Sequence, residues 1–506
     1  MLSTLLTESS LRHPDKIVLI SNDESYTYQQ LDSASTQLAD GLLELGIKIG
    51  DRIAFCLSNG VESFYIYFAC FKIGAIPVPI YVGSRGHDLV HIMTLSEPAV
   101  LITDQKHAPQ FLEIESHYSP PPHVFLVDAE DPQQLFSTLF NNNSAKQFPQ
   151  VNQETLSTLY FTSGSTNAPK GVLRTHDSLL QDVIVSVDQL HMQEGAHVLL
   201  TSGMDFIPDL LLTLVAIYKN GTIVQLPEVT IEGIVEAIEK YPINHMIGTP
   251  SRYKAMCDLL KTQGRRIKHH FVSCNLGGDL APLTVFESFK EVFGQELFYC
   301  WGMTEIVWAI AMPYPYDQKY RGSVGKPWHD VSIRLVDEAG HDVPDNQEGE
   351  LWVKSPRLTC GYWRDPENTA LALTQGWFRT GDLAKRTQDG YIWISGRKKF
   401  TLKSPDGDNI APAELEAVLI QHPAVDEVGV TGLESPSGGD LIIALVCLKP
   451  GVTCTAQVLI NLAKKELADY KTPHKIFFVD MIPKNSRNKM DRLALKTLAK
   501  SFFTAP

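Results

Sequence analysis

Apolar positions over the first three hundred residues alternate between two rhythms. From Tyr28 to Leu45 they recur at helical spacing, and a second helical stretch runs through Phe71. Between such segments lie short apolar runs that predict strands: Arg52 to Leu57, Ile76 to Val82, Ala99 to Thr103, His197 to Leu200, Thr222 to Leu226, His245 to Gly248 and His270 to Asn275. Strands alternating with helices predict an α/β protein of layered subdomains with largely parallel sheets. The most hydrophobic stretch, Phe64 to Val82, is interrupted by Lys72, Gly74, Pro77 and Pro79. It predicts a buried helix turning into a strand, not a membrane span. From Ser323 onward the pattern shifts to shorter strands and more turns, with strands expected at Val331 to Val336, Glu350 to Val353 and Tyr391 to Ile394. A boundary is expected near Ser395-Gly-Arg-Lys-Lys399, dividing the chain into residues 1–395 and 396–506. Beyond it, Pro412 to Gln421 reads as a helix with proline favourably near its start. Strands Glu427 to Val430 and Leu441 to Leu448 follow, then a helix near Ala456 to Ala468.

A chain of 506 residues exceeds what one core organises. Its net charge of −14 argues against a nucleic-acid partner, since such proteins carry basic patches. Any anionic small molecule must then be met by locally concentrated cations. The eight cysteines are scattered without a C-x-x-C pair, and several sit in apolar runs, as Cys70 and Cys447 do. They read as reduced thiols of a cytosolic protein rather than disulfides or a zinc site. The segment from Met1 to Glu8 lacks the basic start and long apolar run of a signal peptide, so a cytoplasmic setting is expected.

One segment carries more chemistry than any other: Leu159-Tyr-Phe-Thr-Ser-Gly-Ser-Thr-Asn-Ala-Pro-Lys-Gly171. A β-prone run delivers a loop of hydroxyls and glycine, closed by a lysine. Such a loop lets backbone N–H groups approach an anion that the lysine neutralises. The spacing from Gly164 to Lys170 imitates a Walker A loop, but Pro169 stands where its second glycine belongs and Gly171 replaces the hydroxyl residue that would hold magnesium. The loop instead resembles that of the adenylate-forming superfamily: acyl-CoA synthetases, luciferase-like enzymes and the adenylation domains of peptide synthetases. Thr162, Ser163, Gly164, Ser165, Thr166, Pro169, Lys170 and Gly171 match that family's motif. Asn167 replaces a glycine, with a residue that tolerates positive φ.

Further segments carry the same resemblance over nearly the whole chain. Tyr299-Cys-Trp-Gly-Met-Thr-Glu305 is similar to Y-G-x-T-E, which implies that Thr304 contacts the α-phosphate and Glu305 ligates Mg²⁺. Trp301 replaces the customary tyrosine and offers a face to adenine. Gly277-Gly278-Asp279 resembles the glycine turn that lines the adenine and acyl pocket, or is a plain tight turn. Trp377-Phe-Arg-Thr-Gly-Asp382 resembles W-x-x-T-G-D, which implies Asp382 as the ribose ligand, with Arg397 also reaching the ribose. Lys399 falls at the family's hinge. Lys489, in Pro483-Lys-Asn-Ser-Arg-Asn-Lys-Met-Asp-Arg492, aligns with the lysine that bridges the substrate carboxylate and the α-phosphate, and Asn488 replaces a glycine. Lys403 to Glu416 resembles the loop that shapes a pantetheine tunnel, with Pro405-Asp406 interrupting its spacing. The resemblance implies a large N-terminal domain of α/β subdomains with a β-barrel-like part, and a small mobile α+β lid.

The activity so implied uses ATP and Mg²⁺ to convert a small-molecule carboxylic acid to an acyl-adenylate, then passes the acyl group to a thiol. The acid pocket would be lined by Ser202 to Asp209, by Asn275 to Asp279, and by Gly302, Met303 and their successors to Trp308. Asp205 or Asp209 would pair a substrate ammonium; equally, one of them caps the helix expected from Leu210 to Tyr218. His176 is read as structural. Gly361-Tyr-Trp-Arg-Asp-Pro-Glu-Asn-Thr369 and Gln421-His-Pro-Ala-Val425 look like free-standing acyl-CoA ligases. Only seventeen residues follow Lys489, so the acceptor thiol, CoA or the phosphopantetheine of a carrier protein, is expected in trans. A carrier-loading adenylation enzyme is the alternative to a CoA ligase. A non-catalytic nucleotide-binding scaffold is a third reading, opposed by the intact Lys170, Glu305, Asp382 and Lys489.

Overall fold

A computed structural model describes residues 1–131, 134–140, 147–162, 169–403, 409–434, 439–485 and 489–504. Its centre is a nine-stranded sheet. From one edge it runs Lys326–Pro327, Ile306–Ala311, Phe298–Met303, Ser273–Leu276, Ile243–Gly248, His197–Leu200, Thr222–Gln225, Ile17–Ser21 and Glu24–Thr27. The strands from Ile17–Ser21 to Phe298–Met303 are parallel, and the flanking ones antiparallel. Helices cover this sheet, so its inner strands are buried on both sides; Thr222–Gln225 and Ser273–Leu276 are buried throughout. The helix Ile207–Tyr218 is buried along nearly its whole length, from Leu210 to Ile217 without a break.

A second parallel sheet orders Ile76–Pro79, Arg52–Cys56, Val100–Thr103 and His123–Leu126. The helix Glu62–Ile73 connects Arg52–Cys56 to Ile76–Pro79 and ends at Gly74 in the left-handed region (φ 73°), so the apolar run from Phe64 is a buried helix and strand, as its interruptions predict. A three-stranded antiparallel sheet joins Leu156–Thr162, Lys170–Thr175 and Gly361–Tyr362. The turn-rich region forms a five-stranded antiparallel sheet of Ser332–Val336, Glu348–Lys354, Leu373–Thr374, Trp377–Arg386 and Ile392–Arg397.

The last hundred residues pack separately. Strands Val425–Glu434, Asp440–Leu448 and Lys475–Phe478 form one sheet against helices Pro412–Leu419, Ala456–Glu466 and Arg492–Thr504. The two apolar clusters there draw only on residues from Leu402 onward. The boundary expected after Ser395 falls inside the strand Ile392–Arg397, so the chain leaves the large lobe as a paired strand rather than as a loose linker. Among the described residues no helix is long and apolar enough to cross a membrane.

Candidate active site

The carboxyl ends of the parallel strands are where sheets of this kind bind ligands. Here they place Thr201 to Asp205, Thr249 to Arg252, Gly277 to Asp279 and the turn at Thr304 side by side. The strand Phe298–Met303 turns back into Ile306–Ala311 through Thr304 and Glu305. Only glycine fits at position 302, because a Cβ there would lie 1.8 Å from the Val307 carbonyl oxygen. Gly302, Met303 and Thr304 remain partly exposed, while Glu305 is 6% exposed. Its Oε1 accepts the Tyr362 hydroxyl at 2.8 Å, and its backbone carbonyl accepts the Thr359 N–H at 2.7 Å. Burial pushes the Glu305 carboxyl above its usual range, opposed by the Tyr362 hydrogen bond and by the Arg397 and Lys170 charges.

Tyr362 also faces the phosphate-loop lysine. Lys170 Nζ lies 5.0 Å from the Tyr362 ring centroid and donates to Asn368 Oδ1 at 2.8 Å. Thr162 and Lys170 are register partners at the ends of two paired antiparallel strands. Ser163, Gly164, Ser165, Thr166 and Asn167 lie outside the described residues. The returning strand is braced by a buried charge cluster: Arg174 and Arg357 both pair with Asp182, and Arg357 Nε pairs with Asp330 at 2.6 Å. Thr359 then donates to the Leu173 carbonyl, and the Trp363 N–H to the Gly171 carbonyl, each at 2.7 Å. The segment 357–363 thereby fixes Lys170 and Glu305 relative to each other. Such clusters hold geometry more than they add net stability.

Asp382 follows Gly381, which has φ 71°, within the strand Trp377–Arg386. It is 5% exposed. Oδ2 accepts the Trp301 indole N–H at 2.9 Å and Oδ1 pairs with Arg397 Nε at 2.7 Å. Burial raises its carboxyl, with Arg397 and Trp301 pulling the other way. The Trp301 indole, expected from sequence to face adenine, spends its N–H on orienting Asp382. Gly277 abuts the same strand, since a Cβ there would meet Cys300 Sγ at 3.1 Å. Gly278 has φ 83°, and its carbonyl accepts Lys489 Nζ at 2.7 Å. Asp279 is exposed; its backbone carbonyl accepts the Tyr299 hydroxyl at 2.9 Å. Lys489 is held by exchange with Asn485, whose N–H reaches the Lys489 carbonyl at 2.7 Å and whose Oδ1 takes the Lys489 N–H at 3.0 Å. Asn488 lies outside the described residues, as does the Pro405-Asp406 interruption.

The structure thus brings Lys489, Gly278, Trp301, Asp382, Arg397, Glu305 and Lys170 into one run of neighbours. Lys399 lies beside it, in a short turn directly after Arg397. It is exposed, and its ammonium packs 4.3 Å from the Phe400 ring centroid; partial burial, with the Arg397 charge, lowers its pKa to about 8. Asp205 and Asp209 part company. The helix expected from Leu210 begins at Ile207, capped by Phe206 without a side-chain bond. Asp209 sits inside its first turn, 1% exposed, and reaches back to accept the Ser202 N–H at 2.8 Å. Burial raises its pKa to about 7. Asp205 stays partly exposed. Sequence reasoning missed Tyr362, Asn368 and Arg252. The Gly361-Tyr362-Trp363 run was visible in the sequence without a role for the hydroxyl, and nothing in the sequence marks Arg252.

Comparison with known proteins bears on this geometry. The family model described as AMP-binding enzyme matches residues 6–363, and the one described as AMP-binding enzyme C-terminal domain matches 414–489. The chain belongs to the AMP-binding enzyme family. It is 29% identical over 510 residues to the 2-succinylbenzoate–CoA ligase of Geobacillus kaustophilus, covering 97% of each. It is 28% identical over 486 residues to the indoleacetate–CoA ligase of Aromatoleum aromaticum, covering 94% of each. The solved O-succinylbenzoate CoA synthetase of Bacillus subtilis, in complex with its acyl-adenylate intermediate, superposes with a TM-score of 0.85 at 26% identity, over 97% of this chain and 98% of that one.

Proposed function

We propose that the cleft between the two lobes activates a small carboxylic acid with ATP and hands the acyl group to coenzyme A. The chain is an AMP-forming acid–CoA ligase of the acyl-CoA synthetase type. One observation carries the assignment of roles. An ammonium from the far end of the chain, Lys489, reaches the Gly278 carbonyl beside a buried carboxylate–indole–guanidinium group. In our reading Asp382 accepts the ribose hydroxyls, its raised carboxyl suited to gaining hydrogen-bond donors, and Arg397 steadies it. Thr162, the loop of residues 163–168 and Lys170 hold the phosphates, and Thr304 meets the α-phosphate. A carboxylate oxygen of the acid attacks the α-phosphorus, and the bond to pyrophosphate breaks. Lys489 lies between the two anions as they approach, where preorganised positive charge counts most.

Glu305 is the residue that would hold Mg²⁺. A buried carboxylate with one oxygen already oriented by Tyr362 fits an ion that takes one or two carboxylates and fills its other positions with phosphate and water. When bound, the ion supplies charge neutralisation at the phosphates. In the second half-reaction a thiol sulfur attacks the acyl carbonyl and AMP departs with the electrons of the broken C–O bond. We assign residues 1–395 and 396–506 to two bodies, with Lys399 as the hinge about which the smaller swings to clear the thiol's path. The acyl pocket involves Gly277, Gly278, Asp279, Gly302 and Met303. Asp209, committed to the Ser202 amide, is a structural group, which leaves Asp205 as the partner for any substrate amine. The cysteines are all free, five of them buried, which supports a reducing cytoplasmic setting.

Coenzyme A is preferred over a carrier-protein thiol because the relatives are named as CoA ligases. The test is acid-dependent pyrophosphate exchange across aryl, fatty, α-amino and dicarboxylic acids, followed by transfer to CoA or to a phosphopantetheinylated carrier protein. Exchange with transfer to CoA supports the proposal. Transfer to the carrier alone assigns the enzyme to the alternative, and no exchange with any acid refutes the reading.

A further inference from the structure

The carboxyl end of one central strand carries a cation that the proposed chemistry leaves unused. Ile243–Gly248 lies between His197–Leu200 and Ser273–Leu276 in the nine-stranded sheet, and Thr249 then caps the helix Pro250–Thr262. Arg252 sits in the first turn of that helix and is largely withdrawn from solvent. Its Nη1 lies 3.2 Å from both Thr201 Oγ1 and Ser202 Oγ, two neutral hydroxyls. Among the described residues no carboxylate lies within ion-pair distance of it. The other well-buried guanidiniums behave differently: Arg174, Arg357 and Arg492 are each paired with a carboxylate. A shielded guanidinium met by neutral hydroxyls is suited to pairing with an anion.

Its surroundings fit that role. Asp209, the nearest acidic influence on Arg252, gives one oxygen to the Ser202 amide, and its other oxygen, Oδ1, is buried without a partner. Burial raises the pKa of Asp209 to about 7 and so weakens its countercharge. Burial also lowers the pKa of Arg252, so a bound anion would relieve a desolvated cation. Position supplies the link to chemistry. Gly277 and Gly278, where Lys489 arrives, end the strand adjacent to Ile243–Gly248. Neighbouring strands lie about 4.8 Å apart, so the Arg252 guanidinium, beside Thr201 and Ser202, stands two strands over from the Gly277 turn, roughly 10 Å by strand spacing.

We propose that Arg252 binds a second anionic group on the acid being activated, so that the preferred substrates are dicarboxylic acids rather than simple fatty or aryl acids. The proposal rests on the ligase reading above. The carboxylate to be activated lies under Lys489, and the other forms a charge-assisted hydrogen-bonded pair with the Arg252 guanidinium, alongside Thr201 and Ser202.

The experiment compares pyrophosphate exchange with dicarboxylic acids of increasing length against monocarboxylic acids of matched size, in the wild-type protein, R252M and R252K. ATP binding is followed separately by calorimetry. The expected result is a dicarboxylate preference in the wild type that falls about 100-fold in R252M, with monocarboxylate exchange and ATP affinity unchanged and partial recovery in R252K. A wild type that prefers monocarboxylates overturns the inference. So does an R252M that loses both acid classes equally while still binding ATP, which would make Arg252 structural. The wild-type series needs no variant to fold. Exchange with some acid but no dicarboxylate preference refutes this inference alone, whereas absence of exchange with every acid refutes the ligase reading beneath it.

Discussion

Replacing Lys489 by methionine keeps the apolar stem and removes one ammonium from the point where two anions meet. In the structure that ammonium lies 2.7 Å from the Gly278 carbonyl oxygen, and its backbone is held from both sides by Asn485. The loss is therefore of charge rather than of loop shape. Removing one preorganised donor from such a site costs ~3–4 kcal/mol of transition-state stabilisation. At about 1.4 kcal/mol per tenfold, adenylate formation should slow by roughly 140- to 700-fold. The assay is pyrophosphate exchange for the first half-reaction, and thioester formation from supplied acyl-adenylate for the second. Transfer from supplied adenylate should stay within about threefold, because the account gives Lys489 no part in it. Lys484→Met is the control: its exposed pair with Glu427 at 2.6 Å is worth ~0–1 kcal/mol and should leave both steps nearly unchanged. Equal loss of both half-reactions in Lys489→Met would refute the role given to it.

Tyr362→Phe removes the hydroxyl that Glu305 accepts while keeping the ring over Lys170; kcat/KM for MgATP should fall by about 10- to 100-fold, and an unchanged value would separate Tyr362 from nucleotide binding. Asp209→Asn keeps an acceptor for the Ser202 amide and removes a buried titrating group. The folded pKa near 7 stands above the unfolded value near 4, so the folded wild type binds more protons between them and loses stability as pH rises across that window. The Tm of the variant relative to wild type should therefore climb from pH 5 to pH 8; a constant difference contradicts the raised carboxyl. Lys399→Pro fixes φ in the turn after Arg397. Pyrophosphate exchange should survive while thioester formation slows on the order of tenfold, and parallel loss of both would remove Lys399 from the hinge.

Much of the architecture was legible because burial wrote it into the residues. The strand Asp440–Leu448 carries a continuous apolar run from Leu441 and Thr222–Gln225 a shorter apolar centre, and each lies within a residue of where the sequence places it. Tyr28–Glu44 matches its helical spacing and begins at a Thr27–Gln30 capping box. Other edges moved for local reasons. His270 to Asn275 reads as a strand, but pairing begins only at Ser273; the helix before Leu210 starts three residues early because Pro208 suits a first turn. Candidate site residues could be named where a motif lies in one segment, as at Thr304-Glu305 and Asp382. What joins segments was not. The Trp301–Asp382 bond, Tyr362 bridging Lys170 and Glu305, and Arg252 beside Thr201 link residues some 50 to 190 positions apart, and no local spacing encodes such contacts.

The most direct measurement follows the phosphorus. Protein incubated with ATP, Mg²⁺, CoA and a substrate acid, with products resolved by phosphorus NMR, should yield AMP and pyrophosphate in equal amounts, one of each per thioester formed. Appearance of ADP and orthophosphate with thioester would show cleavage at the terminal phosphate, and the account of a ligase that splits ATP at its α-phosphorus would be wrong.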